Sequence, residues 1–477
     1  FESNNEFAFE INKKLKISDF NFKSNINLSK LIFKKKSTNI KKYLPNFNET
    51  IEFNDHKISF DYKKNQLKIN GNGKINIEGK NDKIIYEIKK KDKQYFFKTT
   101  IDINQNSLLI SFLNYKKKQN LSSILKLSGI YNENKQITFN EIYFKENRNK
   151  FLINNLKLNN IYKILDIDKI ELDYKNKNKI KNQIILKKEK KKYIVTGEIF
   201  DLSMIIDEIM NSKDDEDTSS IFNNFNSTID ININKVHLDK TDFSKNFLGN
   251  INYKKNRINS ANLKSNFPNK KKLILSIRTN ENNEKITTFF TDYPKPLIKR
   301  FKFINGFEEG VLDLYSIEKN GVTNSKLTIE NFKVKEVPLF AKLLSLASLQ
   351  GIADLLTGEG IRFTNFDMQY SNQKGLMTIE ELFSIGPAVS ILMDGYVELD
   401  KLTSLRGTLV PATTINKSIA KIPLIGDILV GKKVGEGVFG ISFKIKGPPK
   451  DLKTTVNPIK TLTPRFITRT IEKIKKN

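Results

Sequence analysis

The chain of 477 residues has no cysteine and no tryptophan, two histidines, five methionines and twelve prolines. Without cysteine there is no disulfide, no thiolate metal site and no cysteine nucleophile, and the redox compartment is left open. His56 and His237 each stand alone among Lys, Asn and Asp. Neither offers a metal set or a triad, so each reads as an exposed strand or turn residue. No apolar run reaches the ~20 residues that a membrane-crossing helix needs. A Gly-x-Ser-x-Gly elbow is missing, and so is a phosphate loop. Gly431-Lys432-Lys433-Val434-Gly435-Glu436-Gly437 lacks the spacing for the latter and reads as a hairpin turn. The acidic run Asp214-Asp215-Glu216-Asp217 lacks the spaced ligands and glycine of a calcium loop, and reads as solvated. No pair among the 53 carboxylates is singled out. The expectation is a protein without catalytic residues, metal or cofactor.

What the chain has in excess is positive charge: 82 Lys and Arg against 53 Asp and Glu, a formal net charge of +29. One reading is a polyanionic partner, either nucleic acid or an anionic membrane. The other is drift toward AT-rich codons, which enriches Lys, Asn, Ile and Phe together. The lysines are spread between apolar positions. Runs such as Lys34-Lys35-Lys36 and Lys187-Lys188-Glu189-Lys190-Lys191-Lys192 come without a reading helix or an RNA-binding aromatic signature. Drift is the preferred reading and no nucleic acid is expected; attraction to anionic lipid headgroups stays open as a secondary effect.

Hydrophobic residues make up 38% of the chain, with 34 Phe and 15 Tyr, which is enough apolar material to fold. The length demands several domains or one elongated repetitive body. Period-2 alternation recurs throughout: Leu67, Ile69, Gly71, Gly73, Ile75 and Ile77; Ile229, Ile231 and Ile233; Val389, Ile391, Met393, Gly395, Val397 and Leu399; Phe439, Ile441, Phe443 and Ile445. Each describes a strand with one dry and one wet face, and short Asn/Lys/Gly connections favour antiparallel meanders. Twice the alternation slips by one residue, at Glu330-Asn331 and Thr364-Asn365, where a bulge keeps the apolar set on one face.

Helices are few. Leu202, Ile205, Ile206, Ile209 and Met210 mark a short amphipathic helix over 201–211. Pro338 to Leu356 predicts a second helix, apolar nearly all round, with Gly358 after its end. It either plugs the end of a sheet or borders a groove. A helical pair, Ile415–Ala420 and Leu424–Val430, is interrupted by Pro423, and a basic helix is expected from Pro464 to Lys475.

Composition changes near Arg300, from Lys/Asn/Ile to Gly/Pro/Leu/Val, and the later part carries an ordered series of motifs. The series includes Phe303-Ile304-Asn305-Gly306, Val337-Pro338-Leu339, Gly351-Ile352-Ala353-Asp354-Leu355 and Gly358-Glu359-Gly360-Ile361-Arg362-Phe363. It continues through Ser384-Ile385-Gly386-Pro387, Gly395-Tyr396-Val397, Leu409-Val410-Pro411, Pro423-Leu424-Ile425-Gly426, Gly447-Pro448, Asn457-Pro458 and Thr463-Pro464. From about Asp292 to Arg469 the chain resembles the C-terminal region of the AsmA-like superfamily of Gram-negative envelope proteins, in particular its YhdP-type branch. Gly197 to the acidic loop looks like that family's middle region.

The resemblance implies a mainly β fold: an elongated, curved antiparallel sheet forming a groove with an apolar lining, and a few short helices toward the C-terminus. It implies a role in carrying phospholipid between inner and outer membranes. The body would lie in the periplasm of an AT-rich alphaproteobacterium, held by an inner-membrane anchor outside this sequence, which starts at Phe1 without a signal segment. Other envelope or outer-membrane proteins are the further partners implied. The alternative is a structural scaffold for outer-membrane assembly without lipid transport.

Three segments are expected: 1–190, 191–291 and 292–477. Candidate groove or groove-end contacts are Leu339, Leu343, Leu346, Leu349, Ile352 and Leu355 on the apolar helix. On strands they are Val389, Ile391, Phe439, Ile441 and Phe443. Pro338, Gly351, Gly358, Gly360, Phe363, Gly386, Pro387, Gly395, Pro411, Pro423, Gly426, Gly447, Asn457, Pro458 and Pro464 are expected to shape the backbone.

Overall fold

The computed structural model describes residues 1–34, 38–47, 49–133, 136–211, 226–254, 257–300, 305–336, 360–387, 389–398, 401–411, 441–448 and 451–456. These form two compact units. The first holds Phe1–Asn211 and the chain up to Ile258; the second holds the described residues from Asn259 onward.

The first unit is a meander. Its strands are β1 (Glu2–Ile11), β2 (Ile17–Lys34), β3 (Thr50–Lys63), β4 (Gln66–Asn76), β5 (Asn81–Lys91) and β6 (Gln94–Asp102). A small hairpin follows, β7 (Leu108–Ile110) and β8 (Tyr115–Lys117), with a 3-10 turn at Ser111–Leu113. Then come β9 (Ser123–Asn132), β10 (Gln136–Glu146), β11 (Asn149–Asn159), β12 (Ile164–Asp166), β13 (Lys169–Lys175), β14 (Lys181–Glu189), β15 (Lys192–Asp201), β16 (Ser227–His237) and β17 (Phe243–Lys254). Helix α1 (Thr38–Tyr43) follows β2, and α2 (Ser203–Asn211) follows β15. Successive strands pair antiparallel, with β9 taking its place beside β6 and β13 beside β11. One pair departs from the antiparallel expectation: β15 and β16 run parallel. A parallel neighbour needs a crossover, and the connection carrying α2 provides it.

The turns explain the Asn and Lys content. At Asn12, Asn159, Asn176 and Asn280 the backbone N–H bonds the carbonyl four residues on, and the N–H of the third residue on bonds back to the Asn carbonyl. The Asn side chain then accepts from further backbone N–H groups of the loop, as at Lys14 and Lys16 (2.9 and 3.1 Å) or Ile161 and Lys163 (3.1 and 2.9 Å). Each loop places one residue at positive φ: Leu15, Tyr162, Lys179 and Asn283. Elsewhere two-residue turns carry two left-handed residues, Lys64-Asn65 in the first unit and Asn320-Gly321 and Lys374-Gly375 in the second.

The second unit contains β18 (Arg257–Asn266), β19 (Lys272–Thr279), β20 (Lys285–Thr291), α3 (Lys295–Ile298), β21 (Asn305–Lys319), β22 (Val322–Glu336) and β23 (Ile361–Gln373). It continues with β24 (Leu376–Ile385), β25 (Val389–Glu398), β26 (Leu402–Pro411), β27 (Ile441–Gly447) and β28 (Lys453–Val456), each pairing antiparallel with the next. Among the described residues β1 pairs only with β2 and β28 only with β27, so neither ladder closes into a barrel. The fold is a mainly β, open sheet.

The slip in alternation has a structural counterpart. Glu330 pairs with Asn365 and Phe332 with Phe363, leaving Asn331 opposite Thr364, with Asn331 at φ 51°. On either side Ile329, Phe332, Val334, Ile361 and Phe363 are all buried, and the register stays one to one across the step, so the left-handed Asn331 facing Thr364 keeps the apolar set on the core face without the extra residue of the bulge expected there. The boundary expected at 190/191 is the tight turn between paired β14 and β15, and 291/292 is the end of β20, paired on both sides. Hydrogen bonding continues through both points.

Candidate functional site

One register row runs through the first unit from β2 to β17. Ile26 pairs with Ile58, and the row continues through Gly71, Tyr86, Thr99, Leu127, Ile142 and Ile153. It then passes Ile170, Leu186, Val195 and Ile231 to Gly249. Directly paired residues share a face, so a single apolar stripe crosses thirteen strands of the unit, from β2 to β17. Its side chains are half-buried. The opposite face carries Asn25, Asn27, Lys57, Ser59, Asn72 and Lys98, all exposed except for contacts with one another's backbones. A shallow cavity of about 510 Å3 is lined mainly by these polar-face residues, with Asn70, Ile85, Glu87 and Thr100; the row residues Ile26, Ile58, Gly71 and Tyr86 also border it.

Burial of the apolar face is lopsided. One end of the strands, where β6 leads into β7, is capped. Two positions toward it from the central row, Ile84, Phe144, Phe151, Leu172, Ile233 and Phe247 are buried. The β7–β8 hairpin packs on them: the Tyr115 ring lies 4.8 Å from Phe151, 6.2 Å from Phe144 and 5.7 Å from Tyr174. Polar bonds pin the hairpin. Tyr115 donates to Glu146 Oε2 (2.7 Å), and Tyr174 donates to the Leu113 carbonyl (2.9 Å). Asp82 accepts from the backbone N–H groups of Asn104, Gln105 and Asn106 and from the Asn106 side chain. Lys117, fully buried, donates to the carbonyls of Asn104, Asn106 and Lys118 (3.2, 2.7 and 3.0 Å). Burial lowers the Lys117 pKa and raises that of Tyr115, whose bond to Glu146 adds to the rise.

The opposite strand ends form a rim of short turns, where the apolar stripe grades into polarity. Row by row from the centre come Phe60, Ile69, Ile88, Phe97 and Phe139, then Tyr62, Leu67, Tyr95, Tyr131 and Ile137. Beyond them lie turns rich in lysine. Toward β11–β16 this rim is partly filled by Ile164, Ile167 and Tyr193, which pack on Ile153, Ile170 and Leu186. At the far end, by the β1–β2 turn, Phe7, Phe9, Ile11 and Ile17 are exposed on the apolar side.

The residues expected to contact lipid lie elsewhere. Val389, Ile391, Ile441 and Phe443 belong to the second unit, where they join Phe307, Phe332, Phe363, Leu409 and Ile445 in one packed core, each at 5% exposure or less. They fill a core and are not open to a ligand. Leu339, Leu343, Leu346, Leu349, Ile352, Leu355 and Phe439 lie outside the described residues, as do Pro338, Gly351, Gly358, Pro423, Gly426, Asn457, Pro458 and Pro464, and with them the helices expected over 338–356, 415–430 and 464–475.

Of the shaping residues, Gly360 has φ 84° with the backbone of Val334 and Lys335 against its missing side chain, so both conformation and space select glycine. Phe363 is a core ring stacked 5.2 Å from Phe332. Gly386 donates its N–H to the Val389 carbonyl (3.0 Å), and Pro387 follows it in the β24–β25 turn. Gly395 pairs with Leu405 inside β25, and Pro411 and Gly447 end β26 and β27.

Two expectations about histidine are corrected. His56 is 1% exposed, its Nε2 3.0 Å from the Lys74 carbonyl and its Nδ1 3.3 Å from the Tyr86 hydroxyl. A bulge between Asn54 and Lys57 turns it into the apolar face, which alternation by itself does not announce. His237 is half-buried beside Phe243, and desolvation, followed by the Lys235 ammonium, lowers its pKa.

The continuous row in the first unit was legible only as separate alternating segments, because cross-strand register is not written in any one strand. No described helix is long and apolar enough to cross a membrane. No protein family, curated protein or solved structure matches the chain.

Proposed function

We propose that this chain is a non-enzymatic envelope protein that carries phospholipid, sheltering acyl chains on the apolar face of its first unit. The observation that carries the reading is the thirteen-strand row from Ile26 to Gly249: apolar nearly throughout, half-buried, capped at one strand end, and filled at the other only toward β11–β16. A chain laid across it loses about 0.8 kcal/mol of aqueous exposure per methylene. No residue need do chemistry; motion comes from lipid gradients or partner proteins. The motif series of the later chain supports placing the body in the periplasm of a Gram-negative cell, attached to the inner membrane.

The test is extraction of the purified chain followed by lipid mass spectrometry, with photo-crosslinkers at Ile153 and Leu127. Phospholipid adducts at these positions and none from Lys57 on the polar face support the reading; a lipid-free protein without adducts ends it. A scaffold role in outer-membrane assembly is the second reading, favoured by the packed core of the second unit, in which Val389, Ile391, Ile441 and Phe443 are buried.

A further inference from the structure

The strand-end rim opposite the β7–β8 cap is graded like a lipid monolayer. Apolar side chains come first, then Tyr62, Tyr95 and Tyr131 on the same pleat face, then lysines in the turns. Tyr95 and Tyr131 stand 6.1 Å apart, the Lys90 ammonium lies 5.0 Å from the Tyr95 centroid, and Tyr131 is 41% exposed. Tyrosine suits such a border because its ring is apolar and its hydroxyl wet.

Lys13, Lys14 and Lys16 of the β1–β2 turn, Lys64 of the β3–β4 turn and Lys93 of the β5–β6 turn are exposed and make no ion pair among the described residues. The Lys190-Lys191 turn continues the rim further along. Acids stand at this rim as well: Glu10 and Asp19 flank the β1–β2 turn and Asp61 precedes the β3–β4 turn. Asp92 shares a turn with Lys93, while Glu133 is engaged by Lys90 (3.6 Å) and the Tyr95 hydroxyl (3.0 Å).

The capped end is built differently. There Glu78, Asp82, Glu146 and Asp201 are tied into hydrogen bonds, and the one deeply placed lysine, Lys117, is spent on backbone carbonyls. Exposed lysines stand at that end too, Lys80, Lys177 and Lys240 among them, but beside the β7–β8 cap and not beside a tyrosine border. The meander sends alternate turns to opposite ends, so the meeting of lysines and tyrosines at the open rim is a property of the fold and not of one run in the sequence.

We infer that the tyrosine-bordered lysine rim of β1–β6 seats the headgroup of an anionic phospholipid whose acyl chains lie on the apolar stripe. The inference rests on the lipid-carrier reading and adds headgroup charge selection to it. Phosphate oxygens of lipids seated along the rim would meet Lys13, Lys14 and Lys16 at one turn, Lys64 at the next or Lys93 at the third, these turns lying roughly 10 Å apart, with the tyrosine hydroxyls at glycerol depth. The capped end, closed by Tyr115 and lined by carboxylates, excludes the opposite orientation.

The experiment loads the full chain with acyl-labelled phosphatidylglycerol or phosphatidylcholine and measures the bound fraction. Wild type should retain the anionic lipid about tenfold better at low salt, and the preference should shrink as salt shortens the screening length. Replacing the five lysines by Gln (Lys13→Gln, Lys14→Gln, Lys16→Gln, Lys64→Gln, Lys93→Gln) should abolish the preference while phosphatidylcholine retention is unchanged, which also certifies the fold. Lys80→Gln, Lys177→Gln and Lys240→Gln, three exposed lysines at the capped end, should change nothing.

Equal retention of both lipids by wild type overturns the headgroup inference and leaves the carrier reading standing. Retention of neither lipid overturns both. Lysine-dependent binding of an oligonucleotide with no lipid preference also overturns the inference, in favour of a nucleic-acid surface.

Discussion

The imidazole of His56 occupies the space that a side chain at position 73 would fill: a Cβ on Gly73 would overlap the His56 ring. The two lie on adjacent strands of the apolar face, and the neighbouring pair repeats the device, with the Tyr86 ring over Gly71. Glycine here is a floor for a ring. Gly73→Ala should therefore cost about 1–3 kcal/mol through forced displacement of His56, measurable by denaturant unfolding. A neutral outcome would mean the ring has room to move.

Core and stripe should respond differently to truncation. Ile441→Ala opens a cavity in the packed second unit, where Ile441 is 2% exposed, and should cost about 2–5 kcal/mol. Ile153→Ala, on the half-buried row, should cost about 1 kcal/mol and instead reduce lipid retention. Equal losses of stability would show that the first unit's stripe is as filled as the second unit's core.

His237 carries a pH signature. Desolvation lowers its pKa in the folded chain, so the unfolded chain binds its proton more readily. Stability is then fully present above the unfolded value, roughly 6.5, and is lost as pH falls from there through the lower folded value. Unfolding followed between pH 7.5 and 5 should show this loss, and His237→Gln should flatten it; an unchanged slope in the variant would remove His237 as the cause.

Leu15 sits at φ 55°, 86% exposed, in a loop position that its sister loops give to Lys or Asn as well as Tyr. A left-handed backbone strains a branched side chain without any burial to offset it. Leu15→Asn should stabilise the chain by about 0.5–1 kcal/mol, read as a higher unfolding midpoint.

Much of the strand content was legible in advance, because alternation of Ile, Leu and Phe with Lys and Asn is a local consequence of the pleat. The parity slip at Asn331 and Thr364 was legible, but not its form: the strands keep one-to-one register there, with Asn331 left-handed and no residue inserted. Helix α2 followed from its 3.6-residue spacing. Lys116-Lys117-Lys118 shows the limit. Nothing in the run distinguishes its middle member, yet Lys117 is wholly buried, because the carbonyls of Asn104 and Asn106 fold back around its ammonium.

The candidate site was less legible than the fold. Val389, Ile391, Ile441 and Phe443 alternate as cleanly as Ile229, Ile231 and Ile233 do, and the two sets meet different fates. The former are buried in a core, and Ile231 lies on a half-open stripe. Alternation says that a face is apolar; it is silent about what covers that face.

The amino-acid sequence by itself determined that this protein is built of amphipathic strands joined by Asn- and Lys-led turns, since backbone pleat and turn conformation are set by residues within a few positions of each other. Tertiary structure alone decided which strands align their apolar rows, which rim gathers the lysines and which end is capped. Those outcomes depend on register and on alternating turn direction, which bring together residues tens of positions apart, as with Tyr174 and Leu113 at a separation of 61.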